Sequence, residues 1–112
     1  MLPKKRRIER KEFDFILKNS HRYNSPHLLL YIAPNNSDTT RFSFSISKKI
    51  YKHAVDRNLN RRRGYSVIRP IIDTISPGYL LFFTFKRGIY PLSFLDLQNE
   101  IIHLLRTSRV II

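Results

Sequence analysis

The chain has 112 residues, with 21 Lys and Arg against 8 Asp and Glu and a formal net charge of +13. That length leaves room for one core and excludes a second, while the charge favours a polyanionic partner and costs the folded state some self-repulsion. Hydrophobic residues at 42% and aromatics at 12% exclude a disordered basic tail, and the lack of cysteine excludes a disulfide framework and a thiolate zinc site.

The first residues are basic, Lys4-Lys5-Arg6-Arg7, but Glu9-Arg10-Lys11-Glu12 follows instead of an apolar stretch. No secretory signal is expected there. The longest apolar run, Tyr79 to Phe85 with Thr84 inside it, is far shorter than the ~20 residues of a membrane helix. A soluble domain in a reducing cytoplasm is the expectation, with residues 1–7 as a basic arm.

In chain order, Phe13, Ile16 and Leu17 at i, i+3 and i+4 predict a short helix over Arg10 to Lys18. Phe15 lies off that stripe. Asn19-Ser20 and Asn24-Ser25-Pro26 read as turns. Leu28 to Ile32, bounded by Pro26 and Pro34, predicts a strand with Leu28, Leu30 and Ile32 on one face and Leu29 and Tyr31 on the other. Arg41 to Ser47 alternates cleanly, with Phe42, Phe44 and Ile46 opposite Arg41, Ser43, Ser45 and Ser47. Small hydroxyls on the polar face leave room for something to lie across it.

A helix is predicted from about Lys52 to at least Arg63. Its polar wall consists of the rows Arg57/Arg61 and Asn58/Arg62, with Val55 and Leu59 as an apolar row. Gly64 costs about 1 kcal/mol inside a helix, so a bend or break is expected there. Pro70 opens a connector that Ser76-Pro77-Gly78 ends. Tyr79 to Phe85 is apolar on both faces and predicts a central strand, ended by Lys86-Arg87-Gly88. Ser93 with Asp96 resembles a capping box, and Leu97, Ile101, Leu104 and Leu105 continue as a final helix. The order is helix, strand, strand, helix, strand, helix, with room for another strand near Ser47 to Tyr51.

The chemistry-bearing stretch is Ser45 to Arg63, where Lys48, Lys49, Lys52, Arg57, Arg61, Arg62 and Arg63 meet only Asp56. Arg offers a planar fork to phosphate and Lys a compact charge, and this excess goes beyond what solubility requires. Aromatics such as Phe13, Phe15 and Tyr31 fit an ordinary core and also the stacking that grips single-stranded RNA. The eight acids show no paired spacing and the four histidines no ligand spacing. No catalytic residue and no metal ligand is assigned.

Ser45-Ile46-Ser47-Lys48-Lys49, then Ala54-Val55-Asp56-Arg57-Asn58 and Arg61-Arg62, resemble the bacterial ribonuclease P protein family. Arg7-Ile8, Phe13, Leu30-Tyr31, Lys86-Arg87 and Leu92-Ser93-Phe94 extend the resemblance over nearly the whole chain. It implies a small α/β (α+β) two-layer sandwich with a mixed sheet, about three helices and a left-handed βαβ crossover. It also implies a protein subunit that binds a catalytic RNA and the 5′ leader of precursor tRNA, one protein per RNA. The hydrolysis would be carried out by the RNA with Mg2+ at the RNA active site, without membrane or small-molecule substrate. Matched to the RNA-contacting helix are Arg57, Asn58, Arg61 and Arg62, with Lys48, Lys49 and Lys52 before them. Matched to the leader cleft are Phe13, Leu17, Tyr31, Ser45, Phe85 and Lys86.

The chain departs from the family pattern at Leu59, where the Arg-Asn-Arg motif has its third residue, and at Asn60, usually aliphatic. Gly64 and Tyr65 replace an aliphatic residue and often Arg, and Leu17 replaces a common aromatic. A structural RNA-binding protein, such as a small ribosomal protein without a part in cleavage, fits composition and charge equally well. An autonomous nuclease fits least.

Overall fold

Alternation along two strands, together with a third that is apolar on both faces, puts the larger core on one side of a sheet and a smaller one on the other. In the computed structural model, which describes residues 2–86 and 92–111, β1 is His21–Asn24, β2 Leu28–Pro34, β3 Arg41–Ser45 and β4 Tyr79–Phe85. The sheet order is β1-β2-β4-β3. β1/β2 and β2/β4 are antiparallel, whereas β3 and β4 are parallel. A parallel pair needs a crossover, and helix α2, Ala54–Ile68, lies within the connection. Helix α1, Phe13–Asn19, precedes the sheet and α3, Phe94–Thr107, follows it.

Leu28, Leu30 and Ile32 of β2, Phe42 and Phe44 of β3, and Leu81, Phe83 and Phe85 of β4 enter the main core. There they meet Val67 and Ile68 of α2 and Leu97, Ile101, Leu104 and Leu105 of α3. Phe44 and Phe83 stack with centroids 4.7 Å apart and planes within 7°. The opposite face has a smaller core of Ile16, Ala33 and Leu80, beneath α1. Ile16 is fully buried, which contributes roughly 1.5–3 kcal/mol. β4 is thus central and apolar on both faces, as its composition predicts.

Several expectations are corrected. His21–Asn24 is a strand paired with β2 and lies between the two predicted turns. Four residues with no apolar alternation carry little strand signal, and the hairpin with β2 supplies the order. The segment Ser47 to Tyr51 forms no strand. Ser47 accepts from the amides of Ile50 and Tyr51 at 3.0 and 3.2 Å, which curls the chain into turns.

α2 also runs unbroken through Gly64. A Cβ at Gly64 would lie 2.6 Å from the Phe44 ring, so the missing side chain lets that ring rest directly on the helix. Packing outweighs the propensity cost. The predicted Val55/Leu59 row is exposed, at 74% and 46%, and the buried face is Asn60, Gly64, Val67 and Ile68. Asn60 satisfies its amide by donating from Nδ2 to the Asp56 carbonyl at 2.9 Å.

The N-terminal arm is not a solvated tail. Leu2 is buried in the main core, Lys4–Arg6 forms a 3-10 turn, and Arg7 bridges in parallel to Phe42 of β3. Lys86 directly follows β4, and the remainder of the predicted Lys86-Arg87-Gly88 stop lies outside the described residues. Ser93 caps α3 as predicted, its Oγ accepting from the Asp96 amide at 3.0 Å.

Candidate nucleic-acid interface

α1 covers only one end of its sheet face, and the register shows what stands beyond it. Ser43, Phe82, Tyr31 and Arg22 form one row across the four strands, and Ser45, Thr84, Leu29 and Asn24 form the next. Phe13 from α1 packs edge-on against Phe82, centroids 5.0 Å apart, and Tyr31 lies 5.6 Å from Phe82 on its other flank. The Arg22 guanidinium carbon is 5.3 Å from the Tyr31 ring centroid, a contact of about 0.5–1 kcal/mol at an exposed site. The result is a ridge of half-buried rings with a cation at one end and small hydroxyls at the other. Stacking on rings and charge contact with a backbone are what single-stranded nucleic acid offers such a surface.

Of the predicted cleft residues, Phe13, Tyr31 and Ser45 stand on this face or at its border, and Leu17 is 53% exposed on α1. Phe85 does not. It alternates to the other side, is 4% exposed and packs in the main core near Phe44. Phe82 and Thr84 hold the positions on the open face, because residues of one strand face must differ by two from Leu80. Lys86 donates from Nζ to the Ser25 carbonyl at 2.8 Å and from its amide to the His27 carbonyl at 2.9 Å. The sequence predicts no strand between the turns at Asn19-Ser20 and Asn24-Ser25-Pro26, so Arg22 has no expected face. Phe82 was available from the alternation of β4 alone.

The basic stretch divides by what its cations already hold. Arg57 donates from Nη1 to the carbonyls of Tyr51 and Lys52, 2.9 Å each, and so ties the turn to α2. Arg61 donates to the Asn58 side chain, and Arg63 to the Leu92 carbonyl at 3.0 Å. Lys48, Lys49, Lys52 and Arg62 are exposed, and among the described residues their side chains have no partner. Lys48 and Lys49 ride on the turn that Ser47 closes, where the Ser47 Oγ also accepts from the Lys49 amide at 2.9 Å.

Between α2 and the arm an open groove of about 640 Å³ is lined by Lys4, Arg7, Arg10, Arg61, Ser43 and Tyr65, among others. Burial pushes the Tyr65 hydroxyl above its ordinary value of 10.0, against the opposing bonds with Phe44 backbone and Ser43 side chain. It remains a neutral donor over the physiological range. The groove connects the basic helix to the β3 edge of the open sheet face. Among the described residues no group of three His, Cys, Asp or Glu side chains is placed to hold a metal. Among them, too, no helix is long and apolar enough to cross a membrane.

Fold and surface together define a small α+β protein with an open aromatic sheet face flanked by a cationic helix. A family model, that of ribonuclease P, matches residues 2–109. The chain is 35% identical over 98 residues to the ribonuclease P protein component of Mycoplasma genitalium, covering 88% of this chain and 76% of that one. It is 32% identical over 104 residues to the corresponding protein of Clostridioides difficile, covering 90% of each. The solved ribonuclease P protein of Staphylococcus aureus superposes with a TM-score of 0.85 over 96% of this chain and 98% of that one, at 24% identity. The Thermotoga maritima protein has the same fold, with a TM-score of 0.82 over 90% and 96% at 18% identity. The chain belongs to the ribonuclease P protein family.

Proposed function

We propose that this protein is the subunit that holds ribonuclease P RNA and the 5′ leader of precursor tRNA during leader removal in the cytoplasm, one protein per RNA. The observation that carries the reading is the row Arg22, Tyr31, Phe82 and Ser43 across a partly covered sheet face, with Phe13 of α1 packed against Phe82. Phe13, Tyr31 and Phe82 pack on the smaller core and on one another, and the part of each ring left half-buried offers an extended single strand surface for stacking. The catalytic RNA lies on the other basic surface, along Arg57, Asn58, Arg61 and Arg62 and the turn bearing Lys48, Lys49 and Lys52. Mg2+ belongs to the RNA active site, where the phosphodiester is hydrolysed. The protein neutralises phosphate, positions the leader and so lowers the magnesium that the RNA requires.

The test is 5′-leader removal at low magnesium by the RNA of the source organism alone, the protein alone, and both. Cleavage at the mature 5′ end only in the mixture is the expected result. A folded, RNA-binding protein that gives no rescue would favour a structural role instead. Tyr31→Ala is expected to weaken precursor tRNA about tenfold and mature tRNA hardly at all, within the range of one lost stacking contact. Equal losses for both substrates would remove the leader from this face.

A further inference from the structure

Two aliphatic side chains stand exposed in the most basic surface of the molecule. Val55 and Leu59 are 74% and 46% exposed, one turn apart on α2, with the cations of the basic stretch on adjoining rows. Leu59 opens onto a groove of about 420 Å³ between α2 and the approach to α3, walled by Tyr51, Asp56, Leu59, Asn60, Leu92 and Ser93. Arg63 also borders it, but its Nη1 is directed to the Leu92 carbonyl. Asp56 is the only acid between Ser45 and Arg63. Its backbone carbonyl is taken by Asn60, and among the described residues its carboxylate has no partner.

This groove is unsuited to phosphate. A carboxylate in its wall repels a phosphodiester, and the one arginine beside it is engaged. The same walls suit a nucleobase. Leu59 presents apolar contact to a flat ring above the largely buried Leu92, and a carboxylate accepts from an exocyclic amine such as that of cytosine. Unstacked bases of single-stranded segments are what proteins read in RNA by this combination. An acid in the first turn also suits the helix dipole, which accounts for Asp56 but leaves Leu59 exposed without reason.

We infer that the groove between α2 and the approach to α3 takes one unstacked, amino-bearing nucleobase of the RNA held on α2, with Leu59 as its apolar wall and Asp56 as acceptor for the amine. The inference rests on the RNA-binding reading of α2, and it makes Leu59 and Asp56 the residues that select this chain's RNA. Cations on neighbouring rows hold the backbone that carries the base.

The experiment measures binding of the full chain to ribonuclease P RNA across a salt series, and probes the same complexes with reagents for the Watson–Crick edges of adenine, cytosine and guanine. Leu59→Arg decides the sign. If phosphate lies on this row, the added cation tightens binding and steepens the salt slope by about one. If a base lies there, affinity falls about 5- to 20-fold despite the extra charge, with the slope unchanged. In the second case an unpaired base shielded by the unsubstituted protein regains reactivity with Leu59→Arg and with Asp56→Ala. Tighter, more salt-sensitive binding by Leu59→Arg, or unchanged affinity with unchanged base reactivity, overturns the base site and leaves the RNA-binding reading standing. Self-association of the RNA-free chain that Leu59→Arg abolishes, with base reactivity unaltered, overturns it in favour of a protein interface. Absence of RNA binding by the unsubstituted protein overturns both readings.

Discussion

Gly64 shows how one missing side chain decides a helix. Taken alone, Gly64→Ala should stabilise α2 by about 1 kcal/mol through helix propensity. The added methyl, however, would meet the Phe44 ring at 2.6 Å. That ring has little freedom to move, stacked on Phe83 and edge-on to Tyr65 at 5.0 Å. Overpacking of this kind costs about 1–3 kcal/mol, so the substitution is expected to lower stability on balance, as thermal unfolding will show. A rise in Tm would mean that the ring and helix separate freely. The same position explains why the predicted break is absent: propensity was the smaller of two opposed effects, and only the larger one is tertiary.

At the scale of elements, a carboxylate fastens α3 to the turn between β1 and β2. Glu100 accepts from Ser25 Oγ at 2.5 Å and from the His27 amide at 2.9 Å, and its other oxygen lies 2.5 Å from His27 Nδ1. Burial by itself raises the Glu100 pKa, but the bonds from the Ser25 side chain, then from the His27 side chain and amide, and the His27 charge together hold it below its ordinary value of 4.5. A carboxyl whose folded value is depressed contributes stability that is complete above about pH 4.5 and is lost as pH falls through the folded value. Unfolding followed from pH 7 to pH 3 is therefore expected to show an acid limb that Glu100→Gln makes shallower. An identical limb in the variant would assign it to other carboxylates. This fastening spans more than 70 residues of sequence, so no local pattern announces it.

For the molecule as a whole, the +13 charge is divided between cations that hold the fold and cations that are left over. Arg62 belongs to the second group and Arg57 to the first. Arg62→Ala is expected to leave thermal stability within about 0.5 kcal/mol, as surface substitutions usually do, and to reduce the salt slope of RNA binding by about one. Arg57→Ala should weaken RNA binding and also destabilise the turn after β3, because two carbonyls lose their donor. Paired salt titrations and melting curves separate the two. An Arg62→Ala slope equal to that of the unsubstituted protein would take this residue off the phosphate contact.

Sequence by itself determined the strands β2, β3 and β4, the helices and the basic stretch, because each rests on local periodicity, on capping at Ser93 or on an uncompensated run of charge. It also determined that Tyr31 and Ser45 face away from the main core, since alternation along a strand leaves only two choices. Tertiary structure decided β1, whose four residues are ordered by pairing with β2, and the continuity of α2 through Gly64. It likewise decided that Leu59 is exposed and Asn60 buried, which propensity and hydropathy both argue against. Above all it decided the composition of the open face. Arg22, Tyr31, Phe82 and Ser43 come from four strands, and only the hydrogen-bonded register places them in one row. Cross-strand neighbours are set by pairing between segments far apart in the chain, and periodicity within one segment carries no information about its partner.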